Sequence, residues 1–202
     1  MSENVWERIE AARERHDVLS HPFYQRWSAG ELSKDELARY SGQYRHAVVA
    51  VASLSDYVAE AVGRPGLADH AAEEYEHVGL WDGFVGAVGG DVTATATPET
   101  ADCVEAWTAR DGGVAALARL YAIESGQPQI SVTKLDGLRR HYGVDSPEGT
   151  GYFTVHRGRD VEHAGEGREL LGELISTKAD EDEAVAAAES AFEANWRLLD
   201  GV

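Results

Sequence analysis

Apolar residues recur every three to four positions along almost the whole chain, and no segment alternates apolar and polar residues as a strand would. That periodicity confines the fold to helix packed on helix. Turn and cap signals divide the pattern. A first helix is expected over about Glu3 to Val18, and His21-Pro22-Phe23-Tyr24 places a proline in the first turn of a second. Ser33-Lys34-Asp35-Glu36 reads as a capping box opening a long helix, whose buried stripe is Tyr44, Ala47, Val48, Val51, Leu54 and Val58. Gly63-Arg64-Pro65-Gly66 ends it. A further helix is expected from about Leu67 to Val88, then others near 99–110, 112–125 and 128–142. The stretch from Gly143 to Thr150 reads as a loop, followed by helices from about Gly151 to Thr177 and near 181–199. With 202 residues, 43% of them hydrophobic, and no repeat or linker, the expectation is one domain over 1–202. It is an all-α, single-domain bundle of about seven or more helices.

Ionisable residues occupy positions where such a bundle needs apolar ones. In Tyr152-Phe153-Thr154-Val155-His156-Arg157-Gly158-Arg159-Asp160-Val161-Glu162-His163-Ala164, the residues His156, Asp160 and His163 are spaced four and then three apart and share one helix face. Phe153, Ala164, Leu171 and Leu174 continue that face, so the three polar groups interrupt the apolar stripe. Glu124 does the same beside Val114, Leu117, Leu120 and Tyr121. The stripe Leu80, Trp81 and Phe84 runs backwards through His77, Glu74, Glu73 and His70. Burying such groups costs several kcal/mol without compensation, and a cation compensates directly. Imidazoles with carboxylates suit a pair of non-haem iron or manganese ions better than calcium or magnesium, while zinc usually takes four ligands. Glu74-Tyr75-Glu76-His77 has the i, i+3 spacing found in carboxylate-bridged bundle sites. Each string also has an ordinary reading, as a solvated helix face or a buried glutamate paired with arginine; the recurrence on three helices favours the metal.

Lys134 lies on the face of Ile130, Leu138 and His141 and is one of only three lysines against fifteen arginines. A desolvated lysine there is a stronger nucleophile or amine donor, although an ammonium reaching back to the surface fits the spacing equally well.

Composition excludes other classes. The formal net charge of −18 opposes nucleic acid and anionic membranes as partners. No apolar run approaches the roughly 20 residues a bilayer requires, and the N-terminal stretch has no apolar core of a secretory signal, so a cytoplasmic location is expected. The single cysteine, Cys103, rules out a disulfide framework and a thiolate cluster. An acidic, lysine-poor surface suits high salt, where screening relieves self-repulsion.

His21-Pro22-Phe23-Tyr24-Gln25-Arg26-Trp27-Ser28-Ala29-Gly30-Glu31-Leu32-Ser33, the block Gly113–Leu117 with Leu120–Ser125, and Tyr152–His156 through His163-Ala164 resemble haem-oxygenase-like proteins related to TenA and pyrroloquinoline-quinone synthase. The resemblance is greatest to the diiron-type oxygenases of the CADD type, linked to para-aminobenzoate formation, and covers most of the chain. It implies a seven-helix haem-oxygenase-like bundle, commonly a homodimer, with two non-haem metal ions (iron, or manganese with iron) and dioxygen as co-substrate. The implied ligands are Glu74, His77, Glu124, His156, Asp160 and His163. The CADD-like pattern spaces its first Glu and His more widely. The shorter spacing here is similar to that of alkene-forming oxidases of the superfamily, and Glu73 or His70 stays open in place of Glu74. The resemblance further implies that Tyr24 is a self-derived aromatic precursor, with Lys134 and Tyr152 beside it in the chemistry. An external small-molecule substrate such as a fatty acid or amine, and a non-catalytic binding module, are the alternatives. TenA-type thiaminase chemistry is disfavoured because Ala118-Arg119-Leu120-Tyr121 lacks the cysteine it uses.

Overall fold

A computed structural model describes residues 4–202. Glu3, expected to open the first helix, lies outside the described residues. Eight α-helices follow one another among the described residues: α1 Val5–Arg15, α2 Pro22–Ala29, α3 Lys34–Val62, α4 Leu67–Ala87, α5 Pro98–Trp107, α6 Gly113–Gly137, α7 Pro147–Leu174 and α8 Lys178–Asp200. No strand is present among them.

Local chemistry sets the boundaries. Asn4 with Glu7, Ser33 with Glu36 and Thr177 with Asp180 form capping boxes at the starts of α1, α3 and α8. Pro22, Pro98 and Pro147 occupy first-turn positions, where a missing N–H costs nothing. Gly30 and Gly63 close α2 and α3 in the left-handed conformation, at φ of 73° and 64°.

Helix α1 ends at Arg15 rather than Val18 and α8 opens at Lys178 rather than near 181, and two larger differences from the sequence expectation lie in α6 and α7. The helices expected at 112–125 and 128–142 are one continuous α6 running through Pro128 and passing into a π-helical turn at Leu138–Tyr142. Pro128 withholds only the N–H that the Glu124 carbonyl would accept, and burial of α6 against α3, α7 and α8 outweighs that loss. Helix α7 opens at Pro147, capped by Ser146, rather than after Thr150. It ends at Leu174.

Helix α6 is the axis of the bundle. It packs against α7, α8, α3 and α2, while α4 is clasped between α3 and α7. Fully buried Trp27, Trp81 and Trp107 pin the layers: the indole of Trp81 donates to the Ser41 carbonyl at 2.8 Å and that of Trp107 to the Ala191 carbonyl at 3.1 Å. All six residues expected in the buried stripe of α3 are buried. No helix among the described residues is long and apolar enough to cross a membrane.

Candidate metal centre

Helices α4, α6 and α7 meet along one inner seam, and the polar interruptions of their apolar stripes meet there too. Helix α4 contributes His70, Glu74 and His77, α6 contributes Glu124, and α7 contributes His156, Asp160 and His163. Donor atoms of His70, Glu74, Glu124 and His163 all lie within 4.8 Å of one another, as do those of Glu74, His77 and His156. Glu74 belongs to both groups. Asp160 lines a small internal cavity with Glu74, Glu124 and His156. The six residues Glu74, His77, Glu124, His156, Asp160 and His163 are each no more than 6% exposed.

His156 and His163 each have one ring nitrogen beside a group outside the cluster. His156 Nδ1 donates to the Tyr152 carbonyl at 2.8 Å, which aims Nε2 at the seam. His163 Nε2 lies 3.4 Å from Glu73, and its Nδ1 is buried without a partner. Glu73 in turn accepts two bonds from Arg159, at 2.9 and 2.7 Å. Glu73 is therefore an outer support for His163, in the position that commonly orients a ligating imidazole. His77 Nδ1 and Glu74 Oε1 are hydrogen-bonded at 3.0 Å.

Electrostatics describe the same seam. Burial, with the charges of Glu124 and Glu74, pushes the Asp160 acid up to about 9. Burial and the Glu74 charge raise Glu124 well above the carboxylate range. Burial also works against the Glu74 carboxylate, but its bond with His77 and the nearby imidazoles hold it below the usual value. Burial depresses His156 to about 4 and lowers His70 and His163, keeping these imidazoles neutral with lone pairs available. Neither oxygen of Asp160, nor Oε1 of Glu124, receives a hydrogen bond. Three carboxylates and four imidazoles crowded into one largely buried seam, several of their atoms without a hydrogen-bond partner, fit the nitrogen-and-oxygen donor set of an iron or manganese site.

A second station lies further along α6. Lys134 is 1% exposed and carries its Nζ into a box of rings: 4.6 Å from the centroid of Tyr44, 4.9 Å from Tyr40, 5.2 Å from Phe153, 5.3 Å from Trp81 and 5.6 Å from Tyr24. The ammonium donates to the Tyr40 hydroxyl, and burial lowers its pKa well below that of an ordinary lysine. The surface-reaching alternative does not occur. Packed rings join this box to the metal seam: Tyr152 stacks on His156 at 3.8 Å, Trp81 lies edge-on to Tyr152 at 4.8 Å, and Tyr44 follows at 5.1 Å from Trp81.

Every residue singled out for ligation thus reaches one seam, Tyr152 stands at its edge, and Tyr24 and Lys134 share the adjoining box. Tyr40, Trp81 and Gln127, whose side-chain amide donates to Tyr44 at 3.4 Å, were not singled out as site residues. The i, i+4 spacing of Tyr40 and Tyr44 on the α3 stripe was the available signal. Cys103 is buried elsewhere with its thiol pushed up to about 12. His21 caps α2 and faces Asp200.

A cleft of about 380 Å³ opens onto the seam from the surface, with His70, Glu124 and His163 in its lining. Leu67, Leu117, Leu120 and Leu170 form its apolar wall, and Arg64, Glu166 and Glu173 stand among its polar residues.

A family model described as iron-containing redox enzymes matches residues 35–196. A protein of Nitrosomonas europaea named 4-aminobenzoate synthase is 30% identical over 97% of this chain and 89% of its own length. One of the same name from Chlamydia trachomatis is 29% identical over 98% of this chain and 91% of its own. Among solved structures, a domain from Shewanella denitrificans described as having a heme oxygenase-like fold superposes with a TM-score of 0.82 at 22% identity, covering 100% of this chain and 92% of that one. A TenA homologue from Pseudomonas syringae pathovar tomato superposes at 0.76 with 17% identity, covering 97% and 89%.

Proposed function

The chain belongs to the iron-containing redox enzymes and has a haem-oxygenase-like fold, and on that premise we propose that it is an oxygen-dependent 4-aminobenzoate synthase whose own Tyr24 supplies the aromatic ring. The observation that carries the proposal is the sealed box in which Lys134 Nζ lies 5.6 Å from the Tyr24 ring, joined by packed aromatic side chains to the seam of carboxylates and imidazoles. The chemistry of the product supports it. In a tyrosine ring, Cβ and the hydroxyl are para to one another, as are the carboxyl and amino groups of 4-aminobenzoate. The amine needs a source, and Lys134 is the amine beside that ring.

Glu74, His77, Glu124, His156, Asp160 and His163 would hold two ions, iron or manganese with iron, with carboxylates supplying negative charge and imidazoles completing coordination. Bound there, the metal supplies electrons and a Lewis-acidic face for dioxygen. The chain's own groups do the rest. Tyr152 orients His156 through its carbonyl and stacked ring, and Glu73, clamped by Arg159, orients His163. The rings about Lys134 exclude water, and burial, by lowering its pKa, favours the amine form whose lone pair bond formation needs.

The test is isotopic. Protein grown with ring-labelled tyrosine and reconstituted with iron and manganese is expected to release labelled 4-aminobenzoate on exposure to air, and Tyr24→Phe to release none. Equal product from Tyr24→Phe ends the self-derived version.

The cleft favours a second reading, in which an external small molecule with an apolar body enters beside Glu124 and His163. It predicts multiple turnovers and an active Tyr24→Phe enzyme.

A further inference from the structure

We infer that His70 is itself a metal ligand, so that the centre is a seven-donor set in which His70, Glu124 and His163 hold one ion, His77 and His156 hold the other, Glu74 serves both, and Asp160 is the seventh donor, in the cavity it lines with Glu74, Glu124 and His156. This rests on the two-ion reading above and assigns its ligands to two subsites.

The local fold brings His70 to the seam. Gly66, in the left-handed conformation, turns the chain into α4, and His70 completes the first turn. From there Glu74 and His77 follow at i+4 and i+7, so the three side chains project from one face within about 60° of rotation. The His70 side chain is 12% exposed, at the place where the cleft meets the seam.

Its contacts are those of a ligand rather than of an ion pair. His70 Nε2 lies 2.8 Å from Glu124 Oε1 and 3.9 Å from Glu74 Oε1. Yet both Nε2 and Glu124 Oε1 lack a hydrogen-bond partner, so the two atoms lie side by side without a proton aligned between them. Two ligands at right angles about an ion, each about 2.1 Å from it, stand about 3 Å apart. The observed spacing is that of one edge of a coordination shell. The His70 ring also lies 3.8 Å from the His163 ring at 34°, and His163 Nδ1 is likewise a buried nitrogen of this seam without a partner. A donor atom of each imidazole lies within 4.8 Å of a Glu124 carboxylate oxygen. Without His70, the first group offers only Glu74, Glu124 and His163; with it, four donor atoms converge within 4.8 Å. Glu73 is unavailable as the missing donor, because Arg159 holds both its oxygens.

The allotment is tested by metal binding. Metal-free protein is titrated with Co²⁺, following the visible absorption, and with Fe²⁺ under anaerobic conditions, with bound metal measured by mass spectrometry. Wild type is expected to take two equivalents. His70→Ala is expected to keep one tight equivalent and bind the second about 100-fold more weakly. His156→Ala should weaken the other site instead. His70→Glu, which exchanges nitrogen for oxygen, should keep two equivalents with a changed Co²⁺ spectrum. The equivalent retained by each variant, with its far-ultraviolet circular dichroism, reports that the bundle is intact. Two equivalents in His70→Ala, with affinities within threefold of wild type and an unchanged spectrum, overturn the role of His70 and leave the two-ion centre standing. No metal taken up by wild type overturns both.

Discussion

Both oxygens of Asp160 are buried without a donor, and its acid is pushed up to about 9 by burial and by Glu124 and Glu74. An acid raised in the folded state binds a proton that the unfolded chain, at about 3.9, releases. Its contribution is complete below the unfolded value and is lost as pH rises through the folded one, at no more than about 1.4 kcal/mol per pH unit. His156, depressed to about 4, acts oppositely only between there and about 6.5, its unfolded value. Metal-free Asp160→Asn is therefore expected to lose less stability than metal-free wild type between pH 6.5 and 9, measured by chemical denaturation. Parallel curves would place an ionised carboxylate in that pocket. At this scale the sequence was most legible where donors repeated on one face, as with His156, Asp160 and His163. It was least legible for Glu73 and Glu74, which neighbour each other in sequence but point about 100° apart. Only the packing of α7 against α4 decides that one meets Arg159 and the other the seam.

Helix α6 shows what element-level reading resolves and what it leaves out. Gly126 and Pro128 read as a break, yet the helix passes through both because three neighbours bury it. Capping boxes at Ser33 and prolines in first turns were readable because they are local chemistry. The box around Lys134 was not, since its rings come from α2, α3, α4 and α7. One junction is testable. A Cβ on Gly137 would stand 2.4 Å from Trp27 Nε1 and 2.6 Å from Cδ1, where α6 crosses α2. Trp27 is fully buried and cannot swing aside, so Gly137→Ala is expected to destabilise the protein by about 1–3 kcal/mol by overpacking. Denaturant midpoints compared with wild type measure this, and an unchanged midpoint would mean that α2 yields freely.

The whole molecule carries a net charge of −18, spread over helix faces that are exposed to solvent. Such self-repulsion weakens as the Debye length shrinks from about 10 Å at 0.1 M salt to about 3 Å at 1 M. The melting temperature is expected to rise by roughly 4–8 °C between dilute buffer and 2 M KCl, corresponding to about 2 kcal/mol for a chain of this size. Circular dichroism melts would show it, and a falling melting temperature would remove the high-salt reading. The unbroken run of α6 has one more consequence. Glu124 and Lys134 ride on the same rod, about 15 Å apart at 1.5 Å per residue. The helix therefore acts as a ruler between donor cluster and amine. Inserting or deleting a single residue along it would swing one station by about 100° relative to the other, so this interval can change its side chains but not its length.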